Sequence, residues 1–294
     1  MTREVSYKLS IVVPVGKLNG DIAALESWIS IAKNVQIILV LDHSDNETRD
    51  AIQSSSPISH HSGVQIFQVD FRNPGDSRNF GLKRASGSWV LFADSDDVPK
   101  ILNIENAIDS VQENEDVIVG NFEVFEVRTG KIKNYEAESL NDLIKSLPKN
   151  LGLWRFVFRN EFLRNSGIQF PPLSMAEDQV FFLEMKRLEP QFRFVNLIFY
   201  TYYLGNSYQL TNNPEKIQDL KKAITLTLGS IAGEQTFLNL DFLSAQIFSL
   251  ISNCSRRYIF SNMLFIVRIF GKVFTQLGIR KLLTIFTYPA RRTR

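Results

Sequence analysis

Residues Leu9 to Val15 read LSIVVPV, a run with no charged residue and β-branched side chains at most positions. A strand that is apolar almost throughout, rather than at every second position, has to be covered on both faces. That is the condition of a central strand in a parallel sheet. Further strands are read at Val35 to Leu41, a second buried run, at Val64 to Val69, and at Trp89 to Ala93. Between the first two, Ile22, Leu25, Ile29 and Ile31/Ala32 recur near helical spacing, and Asn46 to Ile52 suits a second helix. Strand, helix, strand, helix, strand at this rhythm predicts right-handed βαβ units and a doubly wound sheet.

The fourth run ends in Asp94, Ser95, Asp96 and Asp97. Carboxylates crowded at a strand's end repel one another and need a cation, several hydrogen-bond donors or full solvation. Ligands of open α/β sheets bind beyond the carboxyl ends of the strands, and hard oxygen ligands in a short loop suit Mg²⁺ or Mn²⁺. Taken alone, the same residues also read as an Asp-rich turn capping the next helix. Just upstream, Asn73 to Asn79 (NPGDSRN) is a turn with Asp76 and Ser77 placed to cap a helix over Arg78 to Ala85, which Gly87 ends. Downstream, Pro99 starts a helix carrying Ile101, Ile104, Ile108 and Val111. Val117 to Gly120 and Phe122 to Val127 read as two strands, with a turn at Thr129-Gly130. Trp154 lies in the apolar stretch Leu151 to Phe158. Glu177 and Asp178 open a helix within Met175 to Leu188, where acidic residues commonly complement the helix dipole. Phe192 to Tyr203 reads as a last strand.

Other classes are excluded on pattern. Cys254 is the one cysteine of the 294 residues, so neither a disulfide framework nor a cysteine metal cluster exists, and a reducing compartment is expected. Met1 to Lys8 has no apolar core, so no signal peptide is read and a cytoplasmic location is expected. The turn after the first strand lacks the three-glycine dinucleotide spacing, and no phosphate-loop motif occurs. His43, His60 and His61 make no zinc pattern. His60-His61 reads as surface loop, while His43 is of interest through its neighbour Asp42.

With these pieces in place, Leu9 to Thr211 resembles the family 2 glycosyltransferases. The fold so implied is GT-A, a Rossmann-like mixed α/β sheet, here with a C-terminal helical extension. Val12-Val13-Pro14-Val15 looks like the family's opening, and Ile37 to Asp42 like its strand ending in an Asp pair. Arg78-Asn79-Phe80-Gly81-Leu82 with Ala85-Ser86-Gly87 resembles its RNxGL…AxG element. Leu91 to Asp97 is similar to its metal motif and Glu177-Asp178 to the pair supplying the catalytic base. The resemblance implies a catalytic domain over residues 1–213, with the donor part about 1–120 and the acceptor side about 121–213, followed by an extension over 214–294. It implies that Pro14, Asp42, Arg78, Asp94 and Asp96 contact the donor, and that Asp96 or Asp97 binds Mn²⁺ or Mg²⁺. Asp178 becomes the base, with Glu177 and Trp154 on the acceptor side. The chain departs from the pattern at Leu41, at His43, and at Tyr203-Leu204-Gly205-Asn206, where the usual cationic pair is absent. Heavier dependence on the metal follows from that loss.

The expected activity is inverting, metal-dependent transfer of a sugar from a nucleotide-sugar donor, of UDP type, to a hydroxyl of a glycan or lipid-linked acceptor in surface polysaccharide synthesis. The alternative is a non-catalytic nucleotide-sugar-binding or scaffold subunit. A sugar nucleotidyltransferase ranks lower, because the glycine-rich basic loop after the first strand is missing. The net charge of +2 hides an asymmetry: no acidic residue follows Asp241, while Arg256, Arg257, Arg268, Lys272, Arg280, Lys281, Arg291, Arg292 and Arg294 do. Residues 242–294 mix these with aromatic and aliphatic residues, yet no stretch reaches the roughly 18–20 apolar residues of a spanning helix. Two readings stand for this tail: contact with an anionic membrane surface, peripheral at the inner face of the plasma membrane, or a helical bundle on protein. A homo-oligomer is compatible with the second, and nucleic acid is not expected.

Overall fold

The computed structural model of the chain describes residues 7–205, 218–231, 237–252 and 258–286. Strand β1 (Leu9–Val15) lies between β2 (Val35–Asp42) and β4 (Trp89–Phe92), and β3 (Val64–Val69) adds beyond β2, all parallel. Every residue of β1 except Pro14 is buried, as a run apolar almost throughout requires. Helices α1 (Ala23–Ile29), α2 (Asn46–Ser54), α3 (Ser56–Ser59) and α4 (Pro74–Leu82) fill the connections. Past β4 the sheet turns mixed, as the family's fold implies. The short β5 (Val98–Pro99) and helix α5 (Ile101–Asp109) come next in the chain, then β6 (Val117–Glu126), β7 (Lys131–Tyr135), α6 (Leu140–Ser146), β8 (Phe156–Arg159) and α7 (Asn160–Ser166). Helix α8 (Glu177–Lys186), β9 (Phe192–Leu204), α9 (Asp219–Ile231), α10 (Phe237–Ser252), α11 (Ile259–Leu277) and α12 (Ile279–Phe286) complete the described elements. The strand order is β3-β2-β1-β4-β8-β6-β9-β5, with β7 paired to β6.

The chain packs as two compact units. The first comprises Met1–Leu140, Gly152–Gln169 and Pro190–Gln209, and the second Asn141–Leu151, Phe170–Glu189 and Leu210–Arg294. The first unit's core joins β1 and β2 side chains to Leu25, Trp28, Leu91, Ile104, Trp154 and Tyr200. The second is a helical core in which Ala176 and Val180, beside and within α8, meet Leu220, Ile224, Leu243, Ile247, Ile269 and Val273. Helix α8 therefore belongs with the C-terminal helices.

Local structure corrects several boundaries. Helix α4 begins at Pro74, four residues before the expected start, because Asn73 is its cap: its Oδ1 accepts from Asp76 N–H at 2.8 Å. Pro74 then fills a position whose N–H has no partner in any helix. The two strands expected around Asn121 are one strand with a register irregularity there. A Cβ at Gly120 would come within 2.5 Å of the Phe199 ring. Pro99 does not start a helix but closes β5. Strand β7 has no counterpart in the sequence reading, since all five of its residues are exposed and it carries no burial pattern.

The return from α4 to β4 depends on close backbone approach. Gly87 N–H donates to Ser10 Oγ (2.8 Å), Ser10 Oγ to Gln36 Oε1 (2.6 Å), and Ser86 N–H to the same Gln36 oxygen (2.7 Å). A Cβ at Gly87 would lie 2.6 Å from Ser10 N and 2.7 Å from Leu9 C, both backbone atoms that cannot give way. Gly87→Ala should therefore lower the unfolding free energy by about 1–3 kcal/mol. Gly229→Ala in α9, where a Cβ meets nothing within 4 Å, should be neutral or stabilise by up to about 1 kcal/mol. Guanidinium unfolding of both variants measures the contrast.

Candidate active site

The parallel strands β1, β2 and β4 end at one edge of the sheet, where the backbone opens toward ligands. Asp42 is the last residue of β2. Its Oδ1 accepts from Arg72 N–H (2.8 Å) and its Oδ2 from Asn73 N–H (3.0 Å) and Ser77 Oγ (2.9 Å). The carboxylate thus holds the turn that leads into α4. Leu41, before it, is buried in the strand. His43, after it, has φ 52°, a left-handed conformation that glycine adopts most easily. Its Nδ1 lies 2.9 Å from Asp70 Oδ1, and Arg72 Nε bonds the same oxygen at 3.0 Å. Those two partners, Arg72 first, hold the Asp70 carboxyl below its ordinary range. His60 makes a local bond to the Ser56 carbonyl, and His61 Nε2 lies 2.7 Å from the Ala32 carbonyl 29 residues away.

From the second turn of α4, Arg78 reaches the end of β4, where its Nη2 meets Asp94 Oδ1 at 2.9 Å. Arg78 is 8% exposed while Asp94 keeps about a third of its side chain in solvent, so the ion pair is buried on the guanidinium side and open on the carboxylate side. Asp94 N–H donates to the Tyr200 hydroxyl at 2.9 Å. Asp96 is half-buried. Asp97 is sealed from solvent, and its Oδ1 accepts from Tyr203 N–H at 2.8 Å. Burial, then the charges of Asp96 and Asp94, push the Asp97 carboxyl well above the usual range, against the pull of the Tyr203 and Tyr200 hydrogen bonds. Burial and the same cluster raise the Tyr202 hydroxyl.

Trp154 packs behind these groups, its ring stacked on Tyr200 (centroids 4.3 Å apart, planes at 14°) and edge-on to Phe122 at 5.0 Å. Pro14 sits partly exposed near the end of β1. Asp42, Arg78, Asp94, Asp96 and Asp97 therefore share one unit, and Ser77-Arg78 ties the first to the cluster. Glu177 and Asp178 stand in the first turn of α8 in the other unit. Glu177 is largely buried, and Asp178 Oδ1 accepts from Gln179 N–H at 2.8 Å. Gln179 in turn meets Gln246 of α10 at 3.0 Å, which helps fix the turn on its own unit. Sequence reading misses Tyr200 and Tyr202, although their period-two placement at the end of the last strand puts them on one face. Asn206 lies outside the described residues.

The donor set suits a hard divalent cation. Asp94, Asp96 and Asp97 crowd one turn, and the buried Asp97 Oδ2 has no hydrogen-bond partner of ordinary geometry. Among the described residues no three His, Cys, Asp or Glu side chains are disposed to hold a metal together. The orphaned Asp97 oxygen beside two further acids fits a cation that takes one or two protein ligands and completes its shell with phosphate oxygens and water.

The chain is similar to known proteins in sequence and in fold. A 109-residue stretch is 31% identical to an uncharacterized glycosyltransferase of Rickettsia felis, covering 36% of this chain and 18% of that protein. The chain matches less than a fifth of the length of the first such relatives. The Staphylococcus aureus poly(ribitol-phosphate) β-N-acetylglucosaminyltransferase TarP is 27% identical over 191 residues, 60% of this chain and 57% of TarP. The crystal structure of S. aureus TarS residues 1–349 in complex with UDP superposes with TM-score 0.67 at 18% identity, covering 98% of this chain and 92% of that one. The model of the family described as glycosyl transferase family 2 matches residues 22–180, more than half of the chain. With the Asp-rich turn closing β4, the RNFGL helix beside it and the mixed sheet that carries both, the chain belongs to glycosyl transferase family 2.

Proposed function

We propose that this chain is an inverting glycosyltransferase that moves a sugar from a UDP-type nucleotide-sugar donor to a hydroxyl of a glycan or lipid-linked acceptor, with Mg²⁺ or Mn²⁺ at the Asp-rich turn. The observation that carries the reading is the pairing of buried Arg78 with half-buried Asp94 beside Asp96 and Asp97 at the carboxyl edge of the parallel strands. The UDP complex of TarS supports the choice of base, and the name of TarP, a poly(ribitol-phosphate) β-N-acetylglucosaminyltransferase, supports a polymer acceptor.

Roles follow from the local chemistry. A carboxylate offers about four acceptor directions, and three protein donors leave Asp42 one for the ring N–H of a uracil. Asp94, held by Arg78, stands toward the ribose, while Arg78 adds positive charge near the diphosphate. The metal contact falls to Asp96, which is half-buried. Asp97 is the second candidate ligand, and its buried carboxyl also braces the turn through Tyr203. A bound divalent ion supplies the Lewis acidity that stabilises the departing diphosphate. Asp178 takes the proton of the acceptor hydroxyl as its oxygen bonds to the anomeric carbon and the bond from that carbon to the diphosphate breaks. Glu177 and Trp154 serve the acceptor side.

Two substitutions separate these roles. Asp96→Ala should abolish the Mn²⁺-dependent rise in melting temperature produced by UDP and, with it, transfer. Asp178→Asn should keep that rise but lose about 10²–10⁴-fold in kcat. Thermal shift with UDP and Mn²⁺ together with a sugar-transfer assay checks both. Normal turnover by Asp178→Asn would remove it as the base. Metal-dependent UDP binding by a wild-type chain that transfers to no glycan acceptor would favour the non-catalytic subunit instead.

A further inference from the structure

Helix α11 is apolar on two opposite sides, whereas a helix packed on a core usually shows water a polar face. At about 3.6 residues per turn, Asn262, Ile269 and Val273 fall on one side and are buried. Ile269 and Val273 belong to the core of the second unit, with Phe265, Ile266 and Phe270 partly buried against it. On the far side Phe260, Met263, Leu264, Val267 and Phe274 form a stripe at helical spacing. Phe260 is 86% exposed, Val267 65% and Phe274 53%. Arg268 and Lys272, both exposed, border this stripe on one flank. Exposed Ile279 and Leu283 of α12 add two apolar side chains four residues apart.

Single exposed apolar residues are ordinary on any protein surface. A continuous apolar stripe edged by basic residues marks an interaction site. Among the described residues no helix is long and apolar enough to cross a membrane, and α11 is held along one face by the helical core. A helix so held can only lie along an interface.

We propose that α11 and α12 seat the second unit on the surface of a bilayer containing anionic lipid, with Phe260, Val267 and Phe274 entering the acyl boundary and Arg268 and Lys272 at the headgroups. Charge complementarity selects this occupant. The chain has no acidic residue after Asp241, so nothing in that stretch repels an anionic surface, and each basic residue near the headgroups adds to attraction. Arg256, Arg257, Arg291, Arg292 and Arg294 would add charge but lie outside the described residues.

The test is flotation of the full chain with vesicles of phosphatidylcholine alone or of phosphatidylcholine with phosphatidylserine. Wild type should float with the anionic vesicles and bind them less as salt rises. The triple variant Phe260→Ser, Val267→Ser, Phe274→Ser should lose on the order of tenfold or more in vesicle binding. Arg268→Gln with Lys272→Gln should lose on the order of tenfold toward anionic vesicles only. Because these side chains are exposed, melting temperatures should match wild type, which separates lost binding from lost folding. Wild type remaining soluble with both vesicles, or the triple variant floating as well as wild type, would overturn the proposal. So would a concentration-dependent dimer that the triple variant abolishes, since the stripe would then meet a second copy. No outcome depends on donor or acceptor, so the result stands apart from the proposed transfer activity.

Discussion

Asp94, Asp96 and Asp97 stand within four residues at the end of a buried strand, and their mutual repulsion shapes what surrounds them. Asp94 is neutralised by the buried guanidinium of Arg78. Asp97 is driven toward its protonated form by burial and by its two neighbours. Removing Arg78 would leave the half-buried Asp94 charge without this partner, so Arg78 is as much part of the turn as the carboxylates. Asp96 keeps partial access to solvent. The arrangement gives one acid to a guanidinium and one to the protein interior, and keeps the third half-buried.

The RNFGL…ASG stretch divides by atom rather than by motif. Arg78 carries charge to Asp94, whereas Gly81 and Gly87 are there for contact distances. A Cβ at Gly81 would come within 2.3 Å of Val12 Cγ1, and one at Gly87 would strike the backbone of Leu9 and Ser10. The glycines let α4 and the turn after it lie directly on β1. That packing is what brings Arg78 within 2.9 Å of Asp94. Chemistry at one end of β1 thus rests on close approach at the other.

Legibility in the sequence tracks burial. Strand β1 has the bounds its apolar run predicts, because burial writes itself into composition. Helix α4 starts earlier than its sequence suggests, because Asp76 and Ser77 are good caps in isolation, whereas the cap used is Asn73 with Pro74 behind it. Strand β7 leaves no signal, since an exposed edge strand needs no apolar alternation. The Asp-rich turn is recognisable as a cluster, but the differing burial of its members is not. That difference comes from Tyr200 and Tyr203, more than a hundred residues away.

By itself the sequence determined a covered parallel sheet, an acidic turn at its carboxyl edge and a basic, apolar tail, because these follow from hydrophobic periodicity and charge counts along the chain. Tertiary structure alone decided that Asp42 holds the Arg72–Asn73 turn, that Arg78 pairs with Asp94, and that α8 joins the C-terminal helices. It alone also decided which face of α11 is buried and which is exposed. Those outcomes depend on which distant segments exclude water from a given side chain, and no local spacing encodes that.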